Sequence, residues 1–246
     1  NLISKIEQII LNFQECIKQT FSNLEKFELF KSNKMILQFL FENKIISIDD
    51  QIYKKMTEIK EKNGFQYIHF FYNNIKEFIE TENIKTIENE LLEIDSNIFY
   101  NFDIRCHQGE NDSYICWLIR HDSIEEFIEY VNKTNTSLFS EIKPSLFETN
   151  HFLIKNSTTL IEYSAFFGSI RIFNYLKTNG VGLTSSLWLI AIHSNNAELI
   201  HFLENEKIEP IDKNYEKCMT ESIKCHHNDI ANYFIVNYLD MRENNA

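Results

Sequence analysis

The densest group of side chains that could do chemistry lies near the C-terminal end of the chain, in the run CMTESIKCHH. Two thiols and two imidazoles could bind zinc there, since zinc prefers Cys and His ligands. Structural zinc sites pair cysteines at C-x(2–4)-C spacing, whereas Cys218 and Cys225 stand seven residues apart. We therefore predict no metal site. Cys225 is expected to end a helix, with His226 and His227 in the turn after it.

A second arrangement to consider is a nucleophile pair of Cys225 with His193, which fall in the same row of neighbouring repeats. The chain has only 5 Gly, and no Gly-rich turn that would build an oxyanion hole beside a nucleophile. Adjacent carboxylates such as Glu125 and Glu126 point to different sides of a helix and do not converge on one substrate atom. The sequence also lacks nucleotide-binding and HExxH motifs. We predict no catalytic residue and no cofactor.

Charge and composition restrict the partners of the chain. It carries a formal charge of −12 without a basic stripe, so nucleic acids and anionic membranes would both be repelled. No apolar run is long enough to span a bilayer. The five cysteines are scattered and odd in number, which is typical of reduced thiols. We predict a cytoplasmic protein that binds neither nucleic acid nor membranes; because the sequence begins at Asn1 without a methionine, a targeting segment ahead of it is left open.

A ten-residue pattern occurs six times in the chain, and the helices that it predicts would position any site. Its clearest form is IFNYLKTNGV, and the first, fourth and fifth positions of every copy form the apolar stripe of an amphipathic helix. The stripes are Ile36, Phe39, Leu40; Ile75, Phe78, Ile79; Ile124, Phe127, Ile128; Ile172, Tyr175, Leu176; Leu199, Phe202, Leu203; and Ile230, Tyr233, Phe234. With 2 Pro and 5 Gly against 21 Phe and 11 Tyr, the composition favours helices packed on helices.

The segment TLIEYSAFFGSIRIFNYLKTNGV, residues 159–181, resembles the ankyrin repeat. The matching positions are Thr159, Ile161, the small pair Ser164 and Ala165, the turn Gly168, Leu176 and the closing Gly180. Leu160 and Glu162 replace the Pro and the hydrogen-bonding His of that pattern. From about Phe65 onward the chain is also similar to an uncharacterised ankyrin-like family expanded in flagellated protozoan parasites. The resemblance implies a fold and brings no activity with it.

Other repeats align with this one by their small and turn residues. The small-residue column reads Cys116, Ser164, Ala191 and Ser222, and the turn column reads Arg120, Gly168, Asn195 and His226. Gly, Asn and His tolerate a left-handed backbone, but Arg does not, so we expect the turn before Ile124 to be built differently. Trp117 and Trp188 lie beside the small-residue column and are predicted to be core residues.

These patterns predict an all-α fold, an ankyrin-like α-solenoid of about six stacked antiparallel helix pairs. The repeats are degenerate at the N-terminal end and best formed from Thr159 to Leu239. We predict two regions continuous with each other, 1–110 with degenerate repeats and 111–246 with ankyrin-like repeats. Wide gaps between copies predict one or two additional helices in 84–110 and a loop with a short helix in 134–158.

A partner surface is predicted where each first helix ends, because in ankyrin-like units those residues face the concave groove. The row consists of Phe166, Phe167, His193, Ser194, Lys224 and Cys225. Two adjacent Phe are hard to bury on one helix stripe, so we expect at least one to face outward as an anchor. The alternative is that both pack under the loop 134–158.

The leading functional hypothesis is a non-catalytic protein-binding scaffold or adaptor in the cytoplasm. One alternative is a structural component of a larger cytoskeletal or axonemal assembly, in which the same surfaces are permanently buried. The other is an enzyme that uses the Cys and His residues.

Overall fold

The structure is a computed structural model that describes residues 2–61, 64–211 and 213–239. Within the predicted regions 1–110 and 111–246, positions 1, 62, 63, 212 and 240–246 lie outside the described residues. All regular structure within the described ranges is helical, which confirms the predicted all-α class. The α-helices are α1 Leu2–Asn12, α2 Gln14–Thr20, α3 Asn23–Phe30, α4 Lys34–Glu42, α5 Asp50–Glu58, α6 Tyr67–Phe70, α7 Tyr72–Ile75, α8 Thr81–Ile94, α9 Phe102–Gln108, α10 Tyr114–Arg120, α11 Ile124–Thr134, α12 His151–Lys155, α13 Leu160–Phe167, α14 Ile170–Thr178, α15 Leu187–His193, α16 Ala197–Asn205, α17 Glu216–Lys224 and α18 Asn228–Phe234. A π-helical turn, Ile235–Leu239, continues α18.

The chain divides into two compact units. The first contains Asn1–Asp112 together with Pro144–Asn156, and the second contains Ser113–Lys143 and Ser157–Ala246. The predicted continuity of the repeats from 1–110 into 111–246 stays a prediction.

One apolar core joins the helices of the first unit. Its fully buried side chains include Phe27 of α3, Leu37 of α4, Ile52 of α5, Leu91 of α8, and Phe71, which lies between α6 and α7. The segment 144–156 adds Leu146 and Phe147 to the same core. The two helices α8 and α9 occupy the region where one or two were predicted, and the short helix α12 lies in the predicted loop 134–158.

The copy of the repeat that begins at Ile75 does not form a helix, and that prediction is wrong. Helix α7 ends at Ile75, the chain turns through a hydrogen bond from the Phe78 N–H to the Ile75 carbonyl, and α8 begins only at Thr81. Ile75 is buried while Phe78 is exposed. Three apolar positions at i, i+3 and i+4 span a single turn, so they do not determine whether a helix continues.

The second unit is a series of helix–turn–helix pairs. Helix α10 packs on α11, α13 on α14, α15 on α16 and α17 on α18, while the first helices α10, α13, α15 and α17 pack on one another in that order. The apolar stripe of each second helix faces this packing, since Phe127, Leu176, Leu203 and Phe234 are fully buried. Each pair therefore buries its apolar face against its neighbours.

The four turns within these pairs share one geometry. In each, a left-handed residue donates its N–H to the carbonyl three residues earlier, and the next residue donates to the carbonyl five residues earlier; for Gly168 and Ser169 the N···O distances are 3.3 and 2.9 Å. This is the Schellman motif, which ends a helix with a residue at positive φ. The left-handed residues are Asp122, Gly168, Asn195 and His226.

Arg120 does not occupy the turn column, so the predicted register of that repeat is wrong by two residues. Asp122 is the residue with positive φ, and the N–H of Ser123 closes on the carbonyl of Leu118. Leu118, and not Cys116, therefore stands in the small-residue column beside Ser164. Asp tolerates the left-handed region better than Arg because its short polar side chain bonds locally, and here that preference fixes the register.

The two tryptophans differ in environment. Trp188 is 1% exposed and its Nε1–H donates to the Ile208 carbonyl at 2.9 Å, which confirms the core prediction for it. Trp117 is 40% exposed, so the core prediction for it is wrong. The reason is its position on α10, which is first in the row of first helices and is covered by another first helix on one side only.

The start of α13 forms without the Pro and His of the ankyrin pattern. The Thr159 hydroxyl accepts the Glu162 N–H at 3.4 Å, and the Glu162 carboxylate accepts the Thr159 N–H at 2.8 Å. This reciprocal pair is a capping box, which satisfies two backbone donors at the helix start. At this helix start Glu162, which stands where the ankyrin pattern has its hydrogen-bonding His, makes hydrogen bonds of its own.

Candidate functional site

The predicted partner residues lie where the first helices of the second unit end. Phe166 and Phe167 end α13, His193 and Ser194 end α15, and Lys224 and Cys225 end α17; with the corrected register, Arg120 and His121 occupy the same position at the end of α10. We call these eight residues the turn row. Since the four first helices pack in order, the turn row follows the stack from one pair to the next.

Both Phe residues of the turn row are half-buried. Their rings meet edge to face with centroids 5.1 Å apart, and the Phe167 ring also contacts Tyr163 at 4.7 Å. Neither ring projects fully into solvent, and the outward anchor stays a prediction. Edge-to-face contacts of this kind favour the observed ring orientations.

Arg120 is a member of the turn row that the sequence prediction missed. Its Nη1 donates to the Tyr163 hydroxyl at 2.8 Å, and its guanidinium carbon lies 6.0 Å from the centre of the Phe167 ring. Arg120 thereby joins α10 to α13 through one hydrogen bond and one cation–π contact. The signal that could have identified it is the local preference of Asp122 for the left-handed turn position.

The structure brings Cys225 and His193 together, as their place in one row implied. Cys225 Sγ lies 3.5 Å from His193 Nδ1, and His193 Nε2 lies 3.6 Å from a carboxylate oxygen of Glu221. Glu221 in turn accepts a hydrogen bond from Lys224 at 2.7 Å. A thiol, an imidazole and a carboxylate are therefore adjacent between α15 and α17.

The electrostatics of this group oppose ionisation of the thiol. Burial raises the pKa of Cys225, and the charge of Glu221 raises it further. Burial lowers the pKa of His193, outweighing the attraction of Glu221. The hydrogen bond from Lys224 lowers the pKa of Glu221. A neutral thiol beside a neutral imidazole is a weak nucleophile, because the thiolate is the reactive form.

The remaining polar members of the turn row have local roles. The Ser194 hydroxyl donates to the Ala191 carbonyl of its own helix at 3.3 Å, and Lys224 is exposed with its ammonium on Glu221. Cys218 is buried, two turns of α17 before Cys225. Within residues 2–61, 64–211 and 213–239, no group of three or more His, Cys, Asp or Glu side chains is arranged to hold a metal ion.

The first unit contains an open cleft of about 550 Å³ between α7, α8 and α9. Its polar side chains bond mainly to one another: the Tyr72 hydroxyl donates to Glu88 at 2.5 Å, and the Asn73 amide donates to Asp103. Burial, reinforced by Glu88, raises the pKa of Tyr72 to about 12. Because these side chains bond to one another, they do not indicate which class of ligand the cleft would bind.

Comparison of the chain with protein-family models, with curated proteins and with solved structures finds no match. The resemblance to ankyrin repeats therefore stays a prediction that depends on the residues and their geometry. None of the helices in the described part of the chain combines the length and the apolar character that crossing a bilayer requires.

Proposed function

We propose that the second unit is a non-catalytic protein-binding module, an ankyrin-like α-solenoid whose partner lies along the turn row. The observation that carries this proposal is the repetition of one turn geometry at Asp122, Gly168, Asn195 and His226 on four helix pairs whose first helices pack in order. Repetition places the same helix end of every pair along the stack, and such arrays bind partners over extended surfaces.

The side chains of the turn row suit a protein partner. Phe166 and Phe167 offer ring surface that the contacts with each other and with Tyr163 already orient, which lowers the entropy that these side chains lose on binding. Arg120, His193 and Lys224 add polar and charged side chains to the same row. An aromatic patch with polar neighbours is the composition of many interface hot spots.

The Cys/His enzyme is the weaker alternative. The adjacency of Cys225, His193 and Glu221 is the observation in its favour, but the raised pKa of the thiol leaves it protonated near neutral pH. We propose that this group stabilises the contact between α15 and α17. The protein would then act as an adaptor or scaffold in the cytoplasm, with a permanent subunit of a cytoskeletal or axonemal assembly as the alternative.

The proposal is tested by photo-crosslinking in native extract. A photoreactive residue at Phe167 or Lys224 is expected to capture a protein, whereas the same residue at Asn174 or Glu198, exposed on the second helices α14 and α16, is not. Equal capture from both faces, or from neither, would contradict a partner on the turn row. A captured complex that survives high salt at fixed stoichiometry favours the structural subunit, and a salt-sensitive complex favours the adaptor.

A paired substitution separates binding from folding. Phe167→Ala with His193→Ala is expected to abolish capture at Lys224 while lowering the melting temperature by only about 2 to 4 °C, because both side chains are half-buried. Phe139→Ala, at an exposed ring outside the turn row, is the matched control. A large fall in the melting temperature of the double variant would assign these two residues to the core instead.

A further inference from the structure

A second surface of the second unit consists of stacked aromatic rings. Tyr114 and Trp117 on α10 are parallel within 7° with centroids 5.9 Å apart, and His121 stacks on Trp117 at 4.2 Å. Tyr130 of α11 meets Tyr114 edge to face at 5.4 Å. We call these four residues the aromatic ladder. The spacing of 114, 117 and 121 puts three of its rings on one face of α10.

The aromatic ladder is open to solvent over most of its length. Tyr114 is 50% exposed and Trp117 is 40% exposed, values unusual for rings of this size in a core. His121 is held by a hydrogen bond from its Nδ1 to the Trp117 carbonyl at 2.9 Å. The rings therefore contact one another while about half of Tyr114 and two fifths of Trp117 stay exposed to solvent.

Carboxylates line the side of the aromatic ladder formed by α11. Glu126 accepts a hydrogen bond from the Tyr114 hydroxyl at 3.2 Å. Glu129 is near enough to Tyr114 to contribute to the raised pKa of its phenol, for which desolvation is the largest cause and Glu126 the next. Arg171 neutralises the neighbouring Glu125 at 2.5 Å, and Lys133 is the one lysine of α11. Glu126 and Glu129 thus give this surface a negative edge.

We propose that the aromatic ladder binds an arginine-bearing segment of a partner protein. A guanidinium stacks on tyrosine and indole rings and donates bidentate hydrogen bonds to carboxylates, so it matches both components of this surface at once. The charge of −12 on the whole chain adds a long-range attraction for a basic partner. An ammonium group on lysine has neither the plane nor the fork and fits less well.

This site shares His121 with the turn row, but the residues substituted to test it, Trp117, Glu126 and Glu129, lie outside that row, so failure of one proposal can be told from failure of the other. Arg120, which belongs to the turn row, is directed to Tyr163 and Phe167 on α13, whereas Tyr114 and Trp117 make their ring contacts with each other, His121 and Tyr130. Loss of binding at one surface therefore need not alter the other.

The test is a calorimetric titration of the full chain with a synthetic Arg-Gly repeat peptide at low salt, with Lys-Gly and Glu-Gly peptides of equal length alongside. The Arg-Gly peptide is expected to bind and to protect tryptophan fluorescence from acrylamide, a quencher that reports on Trp117 because Trp188 is buried. The Lys-Gly peptide is expected to bind about three- to tenfold more weakly, and the Glu-Gly peptide not at all.

Three variants identify the surface. Trp117→Ala removes the central ring. Glu126→Gln together with Glu129→Gln removes the negative edge while all rings remain. Each change is expected to lower the affinity for the Arg-Gly peptide by about tenfold. Phe139→Ala, an exposed ring of the same unit outside the aromatic ladder, is expected to bind like the parent chain.

Three outcomes would overturn the proposal. The first is absence of Arg-Gly binding at low salt. The second is binding that Trp117→Ala and the double Gln variant leave unchanged. The third is a dimer in sedimentation that Trp117→Ala converts to a monomer, because the occupant of the aromatic ladder would then be a second copy of the chain.

Discussion

The Asp122 carboxylate accepts the backbone N–H of Ile172 at 3.0 Å, across the boundary between two helix pairs. Its second oxygen accepts the N–H of Arg171, also at 3.0 Å. The N-cap residue of α14, Ser169, makes no cap bond itself, because its hydroxyl donates to the Ile119 carbonyl. The turn of one pair therefore caps the second helix of the next, which is a physical basis for cooperativity between neighbouring repeats.

Asp122→Ala is expected to lower the free energy of unfolding by about 2 kcal/mol, because it removes the cap and forces alanine into the left-handed region. Asp122→Gly relieves the backbone strain and loses only the cap, so about 1 kcal/mol is expected. Urea titrations followed by circular dichroism measure both. The control Glu129→Ala, on an exposed residue, should stay within about 0.5 kcal/mol of the parent. Equal losses for the Ala and Gly variants would show that positive φ contributes nothing here.

Leu176 tests whether the stack depends on its buried stripe. Leu176→Ala is expected to cost about 3 kcal/mol, and Leu176→Asp more, since a carboxylate would be buried among apolar neighbours. Asn174→Asp introduces the same charge on the exposed side of α14 and should be nearly neutral. If the two variants Leu176→Asp and Asn174→Asp had equal melting temperatures, Leu176 would not be packed in the core of the stack.

Two glycines separate steric clash from backbone strain. Both have positive φ, but a Cβ at Gly109 would meet Met35 Sδ at 2.6 Å and Thr149 Oγ1 at 2.8 Å, whereas a Cβ at Gly168 meets nothing within 4 Å. Gly168→Ala is expected to cost about 1 kcal/mol from strain alone. Gly109→Ala should cost more, about 2 to 4 kcal/mol. The prediction fails if denaturant titration ranks Gly168→Ala as the more damaging change.

The ion pair of Lys34 with Glu61 offers an electrostatic test in the first unit. Lys34 is 3% exposed, its Nζ lies 2.7 Å from Glu61 and 4.8 Å from the centre of the Phe70 ring, and burial lowers its pKa. Glu61→Gln leaves a buried charge with a weaker partner, so a loss of about 3 kcal/mol is expected. Lys34→Met together with Glu61→Gln removes that charge and should recover part of the stability. If the double variant were less stable than Glu61→Gln alone, the remaining interactions of the Lys34 ammonium would outweigh the free energy needed to bury it.

His193 predicts a dependence of stability on pH. Burial lowers its pKa in the folded protein, so the unfolded chain binds the proton more readily and the free energy of unfolding falls as pH drops below about 6.5. Glu221, Lys224, His227 and Cys225 face His193, so the comparison is made with His193→Gln, which leaves these neighbours in place. The parent chain should lose more stability than His193→Gln between pH 7.5 and 5.5. Parallel pH profiles for the two would contradict burial of the neutral imidazole.

Local interactions explain which predictions from sequence succeeded. The helical class follows from apolar residues at i, i+3 and i+4. The capping box of Thr159 with Glu162 is equally local, since the two residues lie within one turn, but the sequence analysis did not predict it. The left-handed turns at Gly168, Asn195 and His226 were also visible, because positive φ is a property of one residue and its immediate neighbours.

Tertiary packing decided the rest. Local sequence patterns predicted a helical chain, five of the six repeat helices and the residues that end the first helices of three pairs. Only the structure decided that Ile75 ends a helix, that Asp122 replaces Arg120 in the turn and caps α14, and that Trp117 is exposed while Trp188 is buried. The physical reason is that a helical pattern depends on contacts within a few residues, whereas exposure depends on which distant element covers each face.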